Sequence, residues 1–221
     1  MVDARRLVEE IRGELGALEE RIRRHPYIEA LEGRRIGREK LALFAGQQRH
    51  IITSDLRSLS LIVVRAETPT AREFFLNGVM GEKAALEALG AFAKALGMTE
   101  DQLADVEPIP GAFAYSAFVT WLALYASPAE FAGAFLVNLE AWGANCGRMS
   151  RALTTGYGLK EADVAFFTLF TVPPSGFEEA ALKVIGEGLS QGVDPKLIRR
   201  AARLLQGYEL LYWDTMHQAS T

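Results

Sequence analysis

Apolar residues recur along this chain at helical spacing almost without interruption. Leu7, Val8, Ile11, Leu15, Leu18 and Ile22 follow the i, i+3/i+4, i+7 rule, with Glu and Arg on the opposite face. They predict an amphipathic helix that ends at His25-Pro26. A short helix over 27–32 and a turn at Gly33 lead to a long helix, about 38–65. Its Leu41, Phe44, Gln48, Ile51, Ile52, Asp55 and Leu59 share one side, an apolar stripe with polar interruptions. Thr68-Pro69, Ser127-Pro128 and Asp194-Pro195 each pair a capping residue with proline at the first helical position. Thr99 with Gln102, Ser127 with Glu130 and Ser175 with Glu178 read as capping boxes. Further helices are predicted near 69–97, 110–126, 128–155, 160–171, 175–191 and 195–217. The β-rich run Leu61-Ile62-Val63-Val64 lies inside a helical pattern without flanking turns. No repeat or linker divides the chain, so 1–221 reads as a single all-α domain of seven to eight helices.

Composition narrows the classes. The chain has 221 residues, 49% of them hydrophobic, and a net charge of −4. That balance, with no dense Lys/Arg run, gives no footing for nucleic acid or an anionic membrane surface. One cysteine cannot form an internal disulfide, which points to a reducing compartment, the cytoplasm. A four-ligand Cys/His zinc cage would require all three histidines and the one cysteine, which argues against it. The uncharged stretch 108–129 is punctuated by Pro108, Pro110, Gly111 and Pro128, leaving a helical core too short to span a bilayer. The N-terminus carries dense charge of both signs and no signal-peptide core.

Candidate chemistry lies where polar groups interrupt stripes that otherwise read as buried: Gln47, Gln48 and His50; Asn138, Glu140 and Asn145; Glu209 and Asp214. Each could face solvent or bond a neighbouring helix, because a buried carboxylate is costly unless paired or hydrogen-bonded. Together they could instead form a polar pocket walled by Tyr115, Trp121, Trp142, Tyr208, Tyr212 and Trp213, the usual make-up of a small-molecule site. Cys146 reads as a small buried thiol, with no histidine near it in sequence to act as a base. His25 reads as a helix-terminus residue and His217 as part of a fraying tail. Gly156-Tyr157-Gly158 reads as a helix C-cap rather than a phosphate loop.

Several motifs, in this order, resemble those of the TenA (thiaminase II) and PqqC-like superfamily. His25-Pro26-Tyr27 followed by Leu41-Ala42-Leu43-Phe44-Ala45-Gly46-Gln47-Gln48 is similar to the family's "HPF…F…Q" opening. Phe92-Ala93-Lys94-Ala95-Leu96-Gly97 looks like its "F…ALG" helix end. Ala114-Tyr115-Ser116, then Leu136 and Trp142, are similar to its central helix pair. Tyr208-Glu209-Leu210-Leu211-Tyr212-Trp213-Asp214 looks like its terminal "E..FW" signature. The likeness spans about 25–216 and implies a haem-oxygenase-like all-α bundle without haem, forming homodimers or homotetramers.

Residue by residue, the resemblance implies an acid at Glu209, a pocket tyrosine at Tyr115 and an aromatic at Tyr212. The family's aspartate position is held by Gln48, and its nucleophilic cysteine position falls on Asn138 or Glu140, neither of which offers a thiolate. The di-iron branch is matched at carboxylate positions by Glu73 and Glu140. Its expected imidazoles fall at Ala85 and in the neighbourhood of Phe170, Pro174 and Phe177, so no metal or other cofactor is expected. The leading expectation is a small-molecule pocket whose ligand, an aminopyrimidine or thiamin relative, meets Gln48, Tyr115, Asn138, Trp142 and Tyr212. Glu209 would act there as general acid/base, with Glu140 activating water. A non-catalytic ligand-binding or regulatory protein is the alternative, and a degenerate di-iron or PqqC-type oxidase relative a second one.

Overall fold

The computed structural model describes residues 3–220. Helix α1 (Ala4–Arg23) begins where the Asp3 carboxylate accepts the Arg6 N–H at 2.9 Å, and it buries the stripe read from the sequence. Helix α2 (Pro26–Glu32) is capped by His25, whose Nδ1 accepts the Tyr27 N–H. Helix α3 (Arg38–Arg65) contains the β-rich run as its last turn. Helices α4 (Pro69–Ala95) and α7 (Pro128–Tyr157) start at the predicted Thr68 and Ser127 caps. The Thr99 box forms in full and starts the single-turn α5 (Glu100–Ala104), followed by α6 (Pro110–Tyr125). Gly158 ends α7 with φ +71°, as the C-cap reading expects.

The segment predicted as one helix over 160–171 is instead a 3₁₀ turn, Glu161–Val164, joined to the single-turn α8 (Ala165–Thr168). Beyond it Pro173 and Pro174 keep the chain extended or turning. The Ser175 capping box does not form. Gly176 takes the N-cap position of α9 (Phe177–Ser190) with φ +78°, a left-handed backbone in which no side-chain cap is made. Helix α10 (Pro195–Ser220) runs past the predicted end and includes His217, whose ring lies edge-on to His25 at 6.0 Å. Among the described residues eight helices have seven or more residues, two are single turns and none of the chain is strand. Among the described residues no helix is long and apolar enough to cross a membrane.

Helix α3 packs on α4 and α6, α10 lies against α6 and α7, and α1 and α9 cover the outside of α7. The interior divides into two apolar halves. One gathers Tyr27, Phe44, Phe92, Phe167, Tyr212 and Trp213; the other gathers Phe75, Val119, Phe131, Ile185 and Leu205. Between them runs a belt of buried polar side chains, including Gln48, Asp55, Asn138, Gln206 and Glu209. One contact fixes how the α8 segment meets α7. A Cβ on Gly143 would run into the Phe170 carbonyl oxygen, so backbone here approaches helix as only glycine permits. Gly143→Ala is expected to cost about 1–3 kcal/mol and to displace Phe170, read as a lower urea midpoint together with weaker ligand binding.

Candidate functional site

The polar belt opens into a cleft where the two apolar halves meet. Its empty space is about 590 Å³ with the open mouth included. Gln48, Ile51, Ile52 and Asp55 come from α3, Glu82 from α4 and Tyr115 from α6. Helix α7 gives Phe135, Asn138, Leu139 and Trp142, α10 gives Glu209 and Tyr212, and Phe170 follows α8. Aromatic walls around a few placed polar groups are the make-up of a small-molecule site.

Glu209 is 2% exposed and anchors the site. Its Oε1 accepts the Trp213 indole N–H at 3.1 Å, and its Oε2 accepts Nδ2 of Asn138 at 2.5 Å. Burial outweighs these two bonds and raises the carboxyl from 4.5 to about 8, so it holds its proton near neutrality. Asn138 Nδ2 also reaches Oε1 of Gln206 at 3.2 Å, and its own oxygen accepts the Tyr115 hydroxyl at 2.9 Å. Tyr115 is held as a neutral phenol by burial and by the nearby Asp55, Glu209 and Glu82. Gln48 donates to the Tyr212 hydroxyl at 2.7 Å. Trp142 meets Phe170 edge-to-face at 5.8 Å and Tyr212 at 6.4 Å.

Gln48, Tyr115, Asn138, Trp142, Glu209 and Tyr212 are therefore brought together around one cavity. Glu140 is not. It is exposed on the outside of α7, where its carboxylate meets Arg12 at 3.3 Å and Arg23 at 3.1 Å. Two residues along a helix turn roughly 200°, so Asn138 and Glu140 cannot share a face; of the two, Asn138 faces the cleft. Trp121 and Tyr208 are not walls either; both stack on Phe118, at 5.7 and 5.1 Å, and Trp121 is exposed. Trp213 stands behind Glu209 rather than in the cavity.

Other polar interruptions bond neighbouring segments. Gln47 bridges Glu107 O and Ile109 N at 2.9 Å each, His50 bonds Val106 O, and Asn145 donates to Ile22 O. Asp214 is half exposed and accepts His25 Nε2–H, since Nδ1 of that ring is the α2 cap. Cys146 is fully buried and its thiol is pushed well up, chiefly by that burial, which leaves it inert. Two site residues were not singled out from the sequence as functional: Asp55, noted only as a break in a stripe, and Glu82. Both carboxyls are raised by burial, Glu82 to about 7 and Asp55 well above 3.8, and each stands close to the other.

Among the described residues the cavity wall carries no histidine, cysteine, arginine or lysine. The di-iron site that the resemblance raised would need imidazole donors near Ala85, which is buried in the core, and in the neighbourhood of Phe170, Pro174 and Phe177, where only Phe170 lines the cavity. Among the described residues the side chains present do not fit a metal pair.

The helical arrangement around this carboxylate-bearing cleft is that of a haem-oxygenase-like all-α fold. The model of the TENA/THI-4/PQQC family matches residues 14–219, and the chain belongs to that family. Among solved structures, a TenA homologue from P. horikoshii is 17% identical with a TM-score of 0.77, covering 96% of this chain and 98% of that one. A protein described as having a heme oxygenase-like fold, from Shewanella denitrificans, is 12% identical with a TM-score of 0.75, covering 99% and 94%. A putative TenA-like thiaminase from Sulfolobus solfataricus is 14% identical with a TM-score of 0.71, covering 96% of each chain. At these identities the likeness is one of fold. No curated protein matches the chain.

Proposed function

We propose that this protein binds a small, flat heteroaromatic ligand of aminopyrimidine or thiamin type in the cleft and hydrolyses it with Glu209 as general acid/base. The observation that carries the reading is a buried carboxylic acid, protonated near neutrality, oriented by Asn138 and Trp213 and open to a cavity with aromatic walls. Such a group can protonate a ring nitrogen as water adds to the amino-bearing ring carbon. The added water returns a proton to Glu209, which passes it to the amino group. The C–N bond breaks, ammonia leaves, and the hydroxyl collapses to the ring carbonyl as it gives its remaining proton back to Glu209. Water takes the nucleophile's role because Asn138, not a thiol, faces the ring. Glu140 has no part in this scheme: it lies outside the cavity, in ion pairs.

Incubation with thiamin and aminomethylpyrimidines, followed by product analysis, tests the proposal. Turnover should fall by about 100-fold or more in Glu209→Gln, the usual contribution of a positioned acid/base. Equal rates in the two proteins would remove Glu209 from the chemistry. A second reading, ligand binding without turnover, is favoured by one specific observation: no nucleophilic side chain stronger than a carboxylate or phenol lines the cavity. It requires stoichiometric binding with the ligand recovered unchanged.

The proposal extends to a cytoplasmic homodimer or homotetramer. Leu61 and Val64 on α3 and Trp121, Leu124 and Tyr125 on α6 are exposed apolar side chains. They lie near the end where Arg65 donates to the Ala123 and Ala126 carbonyls. Light scattering on the purified protein gives the subunit number.

A further inference from the structure

The proposed chemistry uses the Glu209 end of the cavity and leaves two carboxylates in its wall without a task. Asp55 is 3% exposed, and its Oδ1 has no hydrogen-bond partner, which is costly for a buried acceptor. Glu82 reaches the same part of the wall from α4. The pair sits apart from the Gln48–Tyr212 contact. Asp55 is two helical turns along α3 from Gln48, roughly 10 Å at the α-helical rise. No lysine, arginine or histidine lines the cavity to neutralise either acid. Tyr115 lies near both, and its hydroxyl is already engaged with Asn138. A wall carboxylate with one oxygen unpartnered, beside a second carboxyl and with no cation in the cavity wall, is complementary to a positively charged N–H donor.

We propose that Asp55 and Glu82 form a cation subsite that takes a protonated amine carried by the ligand, whose ring lies against Trp142, Phe170 and Tyr212. The inference rests on the reading of the cleft as a small-molecule site. It adds the substrate's second feature: an ammonium-bearing side arm, set at the opposite end of the molecule from the atom that Glu209 protonates. Tyr115 from α6 stands near both carboxyls and near Glu209, and Tyr212 completes the titratable groups of the cavity wall; all are acids, so no wall cation competes for the subsite. Both carboxyls hold protons more tightly than ordinary ones, chiefly through burial. An arriving ammonium favours their ionised forms, so its binding near neutrality releases protons.

Calorimetry with benzylamine and with benzyl alcohol, its neutral isostere, tests the subsite on the full chain and on Asp55→Asn and Glu82→Gln. The wild-type protein should prefer the amine by about tenfold or more, the factor of one charge-assisted hydrogen bond, with an apparent heat that depends on the buffer's ionisation enthalpy. Asp55→Asn should abolish that preference and the proton release while leaving alcohol binding within about twofold, a change of under 0.5 kcal/mol. Melting curves check that each variant folds; removal of an unpartnered buried acid should not lower stability, and Glu82→Gln gives an independent second loss. Equal binding of amine and alcohol by the wild type, or a preference that survives both substitutions, overturns the cation subsite and leaves the aromatic pocket standing. Failure of both compounds to bind overturns the pocket reading and this inference with it.

Discussion

Glu209→Gln is expected to become steadily more stable relative to the wild-type protein as the pH rises from about 4.5 to about 8. The sign follows from the raised carboxyl, ordinarily 4.5 and about 8 in the folded protein. Between these values the unfolded chain has lost the proton that the folded one keeps, so the folded state binds more protons and stability falls with rising pH. The stability Glu209 contributes is fully present below 4.5 and is gone once the pH has passed about 8. At 1.36 kcal/mol per unit, the loss is up to about 5 kcal/mol. Glutamine is neutral throughout and carries none of it; Asn138 can turn its amide to accept from the new one. Glu82, raised to about 7, and Asp55 act in the same direction and remain in the variant. His25 acts oppositely, its charged form being disfavoured chiefly by burial, but it is common to both proteins and cancels in the difference. Urea unfolding of both proteins at a series of pH values reads the result directly. A pH-independent difference would mean that Glu209 titrates as an ordinary exposed carboxylate, and its role as an acid would fall with it.

The same residue shows how much of the site is legible without coordinates. Glu209 precedes Trp213 by one helical turn, which is why the terminal signature aligns the carboxyl with the indole N–H that binds it. Helix starts were equally legible where a side chain does the capping, at Thr68, Thr99 and Ser127, because the same atoms that mark the sequence make the bonds. Where glycine did the capping, at Gly176, no side chain carried the information and the start shifted. Faces were harder to read. Helix α6 is apolar almost all round, so nothing in its pattern separates Tyr115, which faces the cavity, from Trp121, which is exposed. Helix α7 is buried on most sides by α1, α9 and α10, which hid the opposite placements of Asn138 and Glu140. Asp55 and Glu82 did leave a trace. Asp55 follows Gln48 by seven residues on the buried side of α3. Glu82 lies between the buried Phe75 and Ala85 at helical spacing on α4. Each reads as an isolated defect in its own stripe, and only the packing of α3 on α4 turns the two defects into a pair.

Trp213→Ala is expected to cost about 3–5 kcal/mol, the range for truncating a large core aromatic, and Trp213→Phe considerably less. The side chain is fully buried and sits at the centre of one apolar half, with ring centroids 5.3 Å from Tyr212, 5.5 Å from Trp142 and 5.6 Å from Tyr27. Alanine would leave a cavity directly behind Glu209, and two of the rings that frame the pocket, Trp142 and Tyr212, would lose their backing. A loss of that size is a large fraction of the roughly 5–15 kcal/mol that holds a domain folded, so a sharply lower urea midpoint should be visible at any pH. The phenylalanine variant keeps most of the packing and deletes only the indole N–H. That bond lowers the Glu209 carboxyl from where burial alone would put it, so its removal should shift the alkaline limb of the stability profile upward in pH. The two variants thus separate packing from proton affinity: alanine lowers stability everywhere, whereas phenylalanine moves the pH at which Glu209 ionises. An unmoved limb in Trp213→Phe would show that the indole supports the pocket wall and does not tune the acid.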